Sequence, residues 1–280
     1  MNLPTDVDAY YVARGGDRYQ PTIHAQGAWR DIEQHMAPVS GLLVHAIESH
    51  DPREDLQLGR VSFDILGIIH AEETTVETRT LRPGRTIELV EATASTQGRP
   101  VVRARAWRLA RQDTSAVAAL EDEPMPHPEE VPPWQDMEEV WSGGYISSLE
   151  FRAVPGRRPG RGRAWLRSPL GLVAGEACSE TARFVGLVDT ANGIATRQDP
   201  RRWLYPNTDL TIHLYRQPTA GWVGLDTSVT WGSSGVGVTS TVLHDVHGPV
   251  GRAQQVLTVR PMPEGAAATA TGAARAGESR

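Results

Sequence analysis

Apolar residues recur at helical spacing in two stretches of the chain, and each stretch is followed by runs of β-type character. The first helix is predicted over 32–48, where Val39, Leu42, Leu43, Ala46 and Ile47 share one stripe. Asp51-Pro52-Arg53 ends it, because a proline disfavours helix in the residue before it. Strand-like runs follow at 58–69, 74–81, 86–96 and 99–111, divided by Arg82-Pro83-Gly84 and Gln97-Gly98. A second helix is predicted over 179–196, with Phe184, Leu187, Val188, Ala191 and Ala195 as its stripe. It stops at Asp199-Pro200-Arg201, 148 positions after the first such tripeptide, and strand-like runs at 209–216, 222–231, 236–245 and 250–260 come next.

Helix, proline stop and strand meander thus occur twice in the same order. Val101, Arg103 and Ala104 match Val250, Arg252 and Ala253 at an offset of 149, which marks an internal repeat. Between the copies, 122–136 holds five prolines and five acidic residues and reads as an extended linker. The expected organisation is an N-terminal unit over 1–119, a proline-rich acidic linker over 120–140, a C-terminal unit over 141–263 and a disordered Ala/Gly/Thr tail over 264–280. The arginine-rich stretch 157–163 could bind an anion, but its Pro and Gly content favours a solvated turn. Gly232-Ser233-Ser234-Gly235, between two strands, reads as a hairpin turn and not as a phosphate loop.

Composition narrows the chemistry. The chain has 280 residues, 39% of them apolar, so it can bury a core. A net charge of -6 argues against nucleic acid as a partner. All 28 basic residues are arginine, which excludes Schiff-base, lysine-base and P-loop chemistry. The single Cys178 precedes the second helix, has no evident His and Asp partners, and is read as inert. No apolar run is long enough for a membrane span and the first 30 residues lack the apolar segment of a secretory signal, so the cytoplasm is expected.

The wording of several segments resembles a family. Thr22-Ile23-His24-Ala25-Gln26-Gly27-Ala28-Trp29 with His35-Met36-Ala37-Pro38-Val39, then Asp209-Leu210-Thr211-Ile212-His213-Leu214-Tyr215-Arg216, 222–230 and 250–260, are similar to blocks of the TesB-type double-hotdog acyl-CoA thioesterases and their thioesterase-like relatives. The resemblance covers about 10–261. It implies an α+β double hotdog: two long helices, each wrapped by an antiparallel sheet, the sheets joined into one. It implies hydrolysis of acyl-CoA or acyl-carrier thioesters to acid and thiol, with no cofactor and no metal. Its active site is an Asp, a Thr and a Gln in the second hotdog, which fall here on Asp209, Thr230 (eight after Trp222) and Gln255 (five after Val250). Relatives commonly carry two glycines after the position of His35, where Met36 and Ala37 stand here.

The chemistry suits such a set: a carboxylate accepts a proton from water, and hydroxyl and amide orient that water. A helix N-terminus commonly polarises the thioester carbonyl in hotdog enzymes, and the glycine-rich segment 171–180, with Gly175, would admit substrate before the second helix. Strand alternation qualifies the picture. Gln255 shares the apolar face with Leu257 and Val259, so it is expected to be buried. Asp209 shares a face with Thr211, His213 and Tyr215, opposite Leu210, Ile212 and Leu214. Asp209 could equally cap a turn, and Thr230 could be an ordinary strand residue. His213 is a weak substrate-binding candidate whose plainer reading is a surface histidine. Asp189 interrupts the stripe of the second helix and is another weak candidate, with a solvent-facing aspartate as the plainer reading.

At the 149 offset Gln255 corresponds to Ala106, so one active site per chain is expected. The rival readings are a non-catalytic acyl-thioester-binding protein and an enoyl-thioester hydratase, which would want a His–Asp or Arg-supported pair. If Asp209 points away from Thr230 and Gln255 with no pocket between them, the binding reading replaces hydrolysis. The outer faces of the sheet are expected to find a partner, giving a homo-oligomer.

Overall fold

The computed structural model describes residues 3–263, and the tail expected over 264–280 lies outside them. In chain order the first half contains β1 (Ala9–Ala13), β2 (Arg18–Pro21), α1 (Met36–Ser49), β3 (Leu56–Ile65), β4 (Thr74–Arg82), β5 (Ile87–Thr96) and β6 (Arg99–Ala110). The second contains α2 (Met137–Val140), α3 (Gly144–Ser147), β7 (Glu150–Ala153), β8 (Arg161–Arg167), β9 (Gly171–Val173), α4 (Glu180–Val188), α5 (Ala191–Ile194), β10 (Trp203–Leu204), β11 (Asp209–Leu214), β12 (Val223–Trp231), β13 (Val236–Asp245), β14 (Gly248–Thr258) and β15 (Arg260–Pro261).

Thirteen strands make one sheet in the order β7-β8-β12-β13-β14-β11-β3-β6-β5-β4-β2-β1-β9. The halves join at its middle, where β11 runs antiparallel to β3 with Ile212 opposite Val61. Both central strands alternate: Leu210, Ile212 and Leu214, like Val61 and Phe63, are buried against the helices. This is the double hotdog. A second pairing crosses the boundary between the halves, since β9 adds in parallel to β1 at the far edge. The segment 122–136 is no free linker. Met125 and Val131 are buried with Trp165 and Trp222, and the Trp165 indole donates to the Pro126 carbonyl at 2.8 Å. The arginine-rich stretch is the turn after β7 and the start of β8, with Arg157 over the Trp134 ring and Arg161 paired with Asp226.

Helix α1 starts at Met36 because the His35 imidazole caps it: Nδ1 accepts the Ala37 amide at 3.1 Å. Pro38 fits the first turn, where no intrahelical donor is needed. At the other end Arg108, paired with buried Glu88, donates to the carbonyls of Ile47 and His50, a cation at the negative end of the helix. The second predicted helix is broken. It stops at Val188, and Asp189 and Thr190 join it to the short α5. The sequence Asp189-Thr190-Ala191-Asn192-Gly193 is poor in helix formers, so propensity does not carry the stripe through it.

The two long helices touch through glycine. A Cβ on Gly41 would stand 2.9 Å from the Ala182 carbonyl oxygen and from the Gly186 Cα. Gly41→Val must therefore push the helices apart and is expected to lower stability by about 1–3 kcal/mol, read as a fall in Tm. An unchanged Tm would show that this crossing does not bear on the fold.

Candidate functional site

The break after α4 places a carboxylate at the centre of the molecule. Asp189 is only 6% exposed. Its Oδ1 accepts from the Asn207 Nδ2 at 2.7 Å and from the Gln255 Nε2 at 2.8 Å. Asn207, just before β11, also donates to the Asp209 carbonyl at 3.0 Å, which fixes its amide toward α4. Gln255 is carried on the helix-facing side of β14 and is 1% exposed. Among the described residues its Oε1 has no hydrogen-bond partner, and neither has the hydroxyl of Thr239, directly across the ladder from it.

The other oxygen of Asp189, Oδ2, carries no hydrogen bond among the described residues and stands 3.9 Å from His35 Nδ1. That contact is not an ion pair. Nδ1 is occupied as the acceptor of the helix cap, and burial pushes the imidazole down to about 3, so His35 is neutral with its proton on Nε2. Asp189 therefore has no cation beside it. Burial drives its pKa up to about 6, against the two amide hydrogen bonds that lower it, with Asp209 adding a small upward push. Around this carboxylate lies a cleft of about 410 Å³, counted with its open mouth, walled by Trp29, His35, Met137, Trp141, Ile146 and Asn192 among others. Trp29 and Trp141 meet edge to face at 5.0 Å, and Trp29 is partly exposed at the mouth.

Of the three residues expected to form the active site, only Gln255 is here. Asp209 sits on the outer face of β11, where its Oδ1 accepts the Val256 amide at 2.6 Å. Thr230 is exposed on the outer face of β12 opposite Val238, whereas Val229 and Thr239 share the inner face with Gln255. The three do not converge. His213 is likewise exposed on the outer face, between Arg60 and Arg252. Gly175 lies in the turn after β9, at φ +73°, away from the cleft. Asp189, the weak candidate whose plainer reading is a solvent-facing aspartate, is the buried carboxylate. The helix start beside it is that of α1, from the other half of the chain, and not the segment 171–180. That segment lies at the opposite end of the helix pair, where His45 Nε2 meets Glu176 Oε2 at 3.0 Å. There the Cys178 thiol, then Glu176, holds the His45 imidazole protonated up to about 9 against burial, so Cys178 does have a histidine neighbour. Asn207 was missed outright; no local periodicity marks a loop residue that turns its amide inward.

A model of the acyl-CoA thioesterase N-terminal domain matches residues 25–109, and one of the acyl-CoA thioesterase C-terminal domain matches residues 128–259. The fold is similar to that of a conserved protein of unknown function with hot dog fold from Alicyclobacillus acidocaldarius (TM-score 0.72, 14% identity, covering 91% of this chain and 97% of that one). It is also similar to the acyl-CoA thioesterase II TesB2 from Mycobacterium marinum (TM-score 0.62, 16% identity, 91% and 96% covered). Among curated proteins none matches the sequence.

The raised pKa of Asp189 fixes a sign for stability. The folded state holds the proton more tightly than the unfolded one, so ionising Asp189 removes stability as pH rises from about 4 to about 6. Each pH unit between the two values is worth about 1.4 kcal/mol, so the penalty above pH 6 is on the order of 3 kcal/mol. Asp189→Asn is expected to raise the Tm at pH 8 and to change it little at pH 4. A lower Tm at pH 8 would contradict the burial of an unpaired charge.

Proposed function

The chain belongs to the acyl-CoA thioesterase family, and we propose that it hydrolyses acyl-CoA or acyl-carrier thioesters with Asp189 as the general base. The observation that carries this reading is a buried carboxylate with one oxygen held by two side-chain amides and the other facing a cleft. Asn207 and Gln255 fix Oδ1, which leaves Oδ2 as the basic atom. A base with a pKa near 6 is ionised at neutral pH yet still takes a proton with useful driving force. Water held at Oδ2 gives up a proton as its oxygen bonds to the thioester carbonyl carbon. The neutral His35, with Nε2–H as its donor, stabilises the resulting oxyanion. The C–S bond then breaks, the proton returns from Asp189 to the departing sulfur, and acid and thiol leave. The base of the Asp/Thr/Gln scheme is thus reassigned to Asp189, and Thr239 is the inner-face threonine beside Gln255. The convergence expected of Asp209 fails, yet a carboxylate still meets Gln255 in a cleft, which favours catalysis over passive binding.

The closeness of His35 to Asp189, 3.9 Å apart, also favours a second reading, hydration of an enoyl thioester, because such chemistry uses a His–Asp set near a helix. Free-thiol release from a panel of acyl-CoAs, run beside the loss of enoyl absorbance with crotonyl-CoA, separates the two.

Asp189→Asn is expected to reduce kcat by about 10² to 10⁴. Asp209→Asn and Thr230→Val should stay within about twofold of wild type. The wild-type rate should fall below a pH of about 6 as Asp189 takes up its proton. Full activity in Asp189→Asn would refute the mechanism. A homo-oligomer is proposed through the outer sheet face, where Val236, Val238 and Val256 are exposed, and a monomeric mass in light scattering would count against it.

A further inference from the structure

A second cavity lies behind the first. Counted with its open mouth it spans about 450 Å³, and its walls include Tyr10, Leu170, Leu172, Phe184, Leu187 and Val223, with Arg183 at its rim. Three packed rings, one pair stacked and the next tilted, lie between it and the Asp189 cleft. His35, a wall of the cleft, lies flat on Tyr145 with ring centroids 4.2 Å apart, and Tyr145 meets Tyr10, a wall of the cavity, at 5.9 Å. Leu187 borders the cavity and Thr190 the cleft, so the same α4–α5 turn runs past both.

The stack is held rigidly at each ring. Tyr145 is fully buried, and its hydroxyl shares a hydrogen bond with Thr190, next to the base, at 2.7 Å. Its backbone amide donates to the Gln26 carbonyl, and the preceding Gly144 lies so close to the Ile23 carbonyl that any Cβ there would collide with it. The Tyr10 hydroxyl meets Ser168 at 2.8 Å and Ser148 at 3.1 Å. His35 is pinned by its cap to α1. Rings fixed in this way by hydrogen bonds at their polar ends form a wall, because swinging any one aside leaves a buried polar group unpaired.

We propose that the Tyr10–Tyr145–His35 stack is the floor of the acyl pocket, confining the enzyme to short acyl thioesters and closing off the apolar cavity behind it. The inference rests on the thioesterase reading of the cleft. A long alkyl chain entering past the edge-to-face Trp29 and Trp141 meets His35, backed by the buried Tyr145, and has no apolar route onward, although a pocket of suitable character lies beyond. Removing a ring joins the two spaces. Each methylene that gains or loses a place in an apolar pocket changes selectivity by about tenfold or more.

The test compares kcat/KM for butyryl- and dodecanoyl-CoA in the wild type, Tyr145→Phe, Tyr145→Ala and Tyr10→Ala, each first shown to melt cooperatively. The wild type should prefer butyryl-CoA by at least about tenfold. Tyr145→Phe, which keeps the ring and loses only the hydroxyl, should keep that ratio even where the rate falls. Tyr145→Ala or Tyr10→Ala should move the ratio toward dodecanoyl-CoA by at least about tenfold. A wild type that takes both chains equally, or an unchanged ratio in both folded alanine variants, would overturn the proposal. Calorimetric binding of S-butyl- and S-dodecyl-CoA thioethers reads the same ratio without turnover. A ratio that shifts there while no thioester is cleaved would sink the hydrolase reading and leave the floor standing. A Kd ratio that does not shift would remove the floor.

Discussion

Two helices from different halves of one chain lie against each other beneath a shared sheet, and glycine is what lets them come so close. With Gly41 packed on Gly186 and Ala182, the backbones approach until the start of α1 stands beside the end of α4. Any side chain at that crossing would separate the two ends. The cleft depends on this: His35 caps the one helix, Asp189 ends the other, and the 3.9 Å between them is set by how tightly the helices pack. The central β11–β3 pairing fixes the same geometry from above, since Asn207 leads into β11 and Gln255 comes from the neighbouring β14.

What this geometry produces is an expensive charge. Asp189 is ionised in a place where burial disfavours ionisation, held by two neutral amides and no cation. A protein selected only for stability would place a paired or neutral group there. The opposite end of the helix pair handles buried charge differently. His45 pairs with Glu176, and Glu48 accepts a hydrogen bond from Ser179. There the charges are answered by partners; at Asp189 one oxygen is left without one.

Much of this is legible in the sequence. The long helices and eight of the strands follow from apolar periodicity, because burying one face under a sheet demands it. Gln255 could be found because a polar residue on an apolar strand face must have a partner. Asp209 does not meet Gln255 for a reason the same rule exposes: alternation sets it opposite Leu210 and Ile212, on the other side of the sheet from Gln255, and Thr230 stands in the same relation to Val229. Asp189 was visible as a flaw in a helical stripe, but a pattern that counts faces cannot tell an outward aspartate from one at a helix break. The short strands β1, β2 and β9 were not legible. Their pairing, β9 with β1 above all, joins segments about 160 residues apart in the chain, and nothing local specifies it.

The central claim is that Asp189 is a buried, cation-free carboxylate poised near neutrality, and its own titration tests that most directly. In protein labelled with ¹³C at aspartate carboxyl carbons, the resonance lost in Asp189→Asn identifies the group. A midpoint of about 6 is the result this account requires. A midpoint at or below about 4, the range of an ordinary solvated or salt-bridged aspartate, would contradict it.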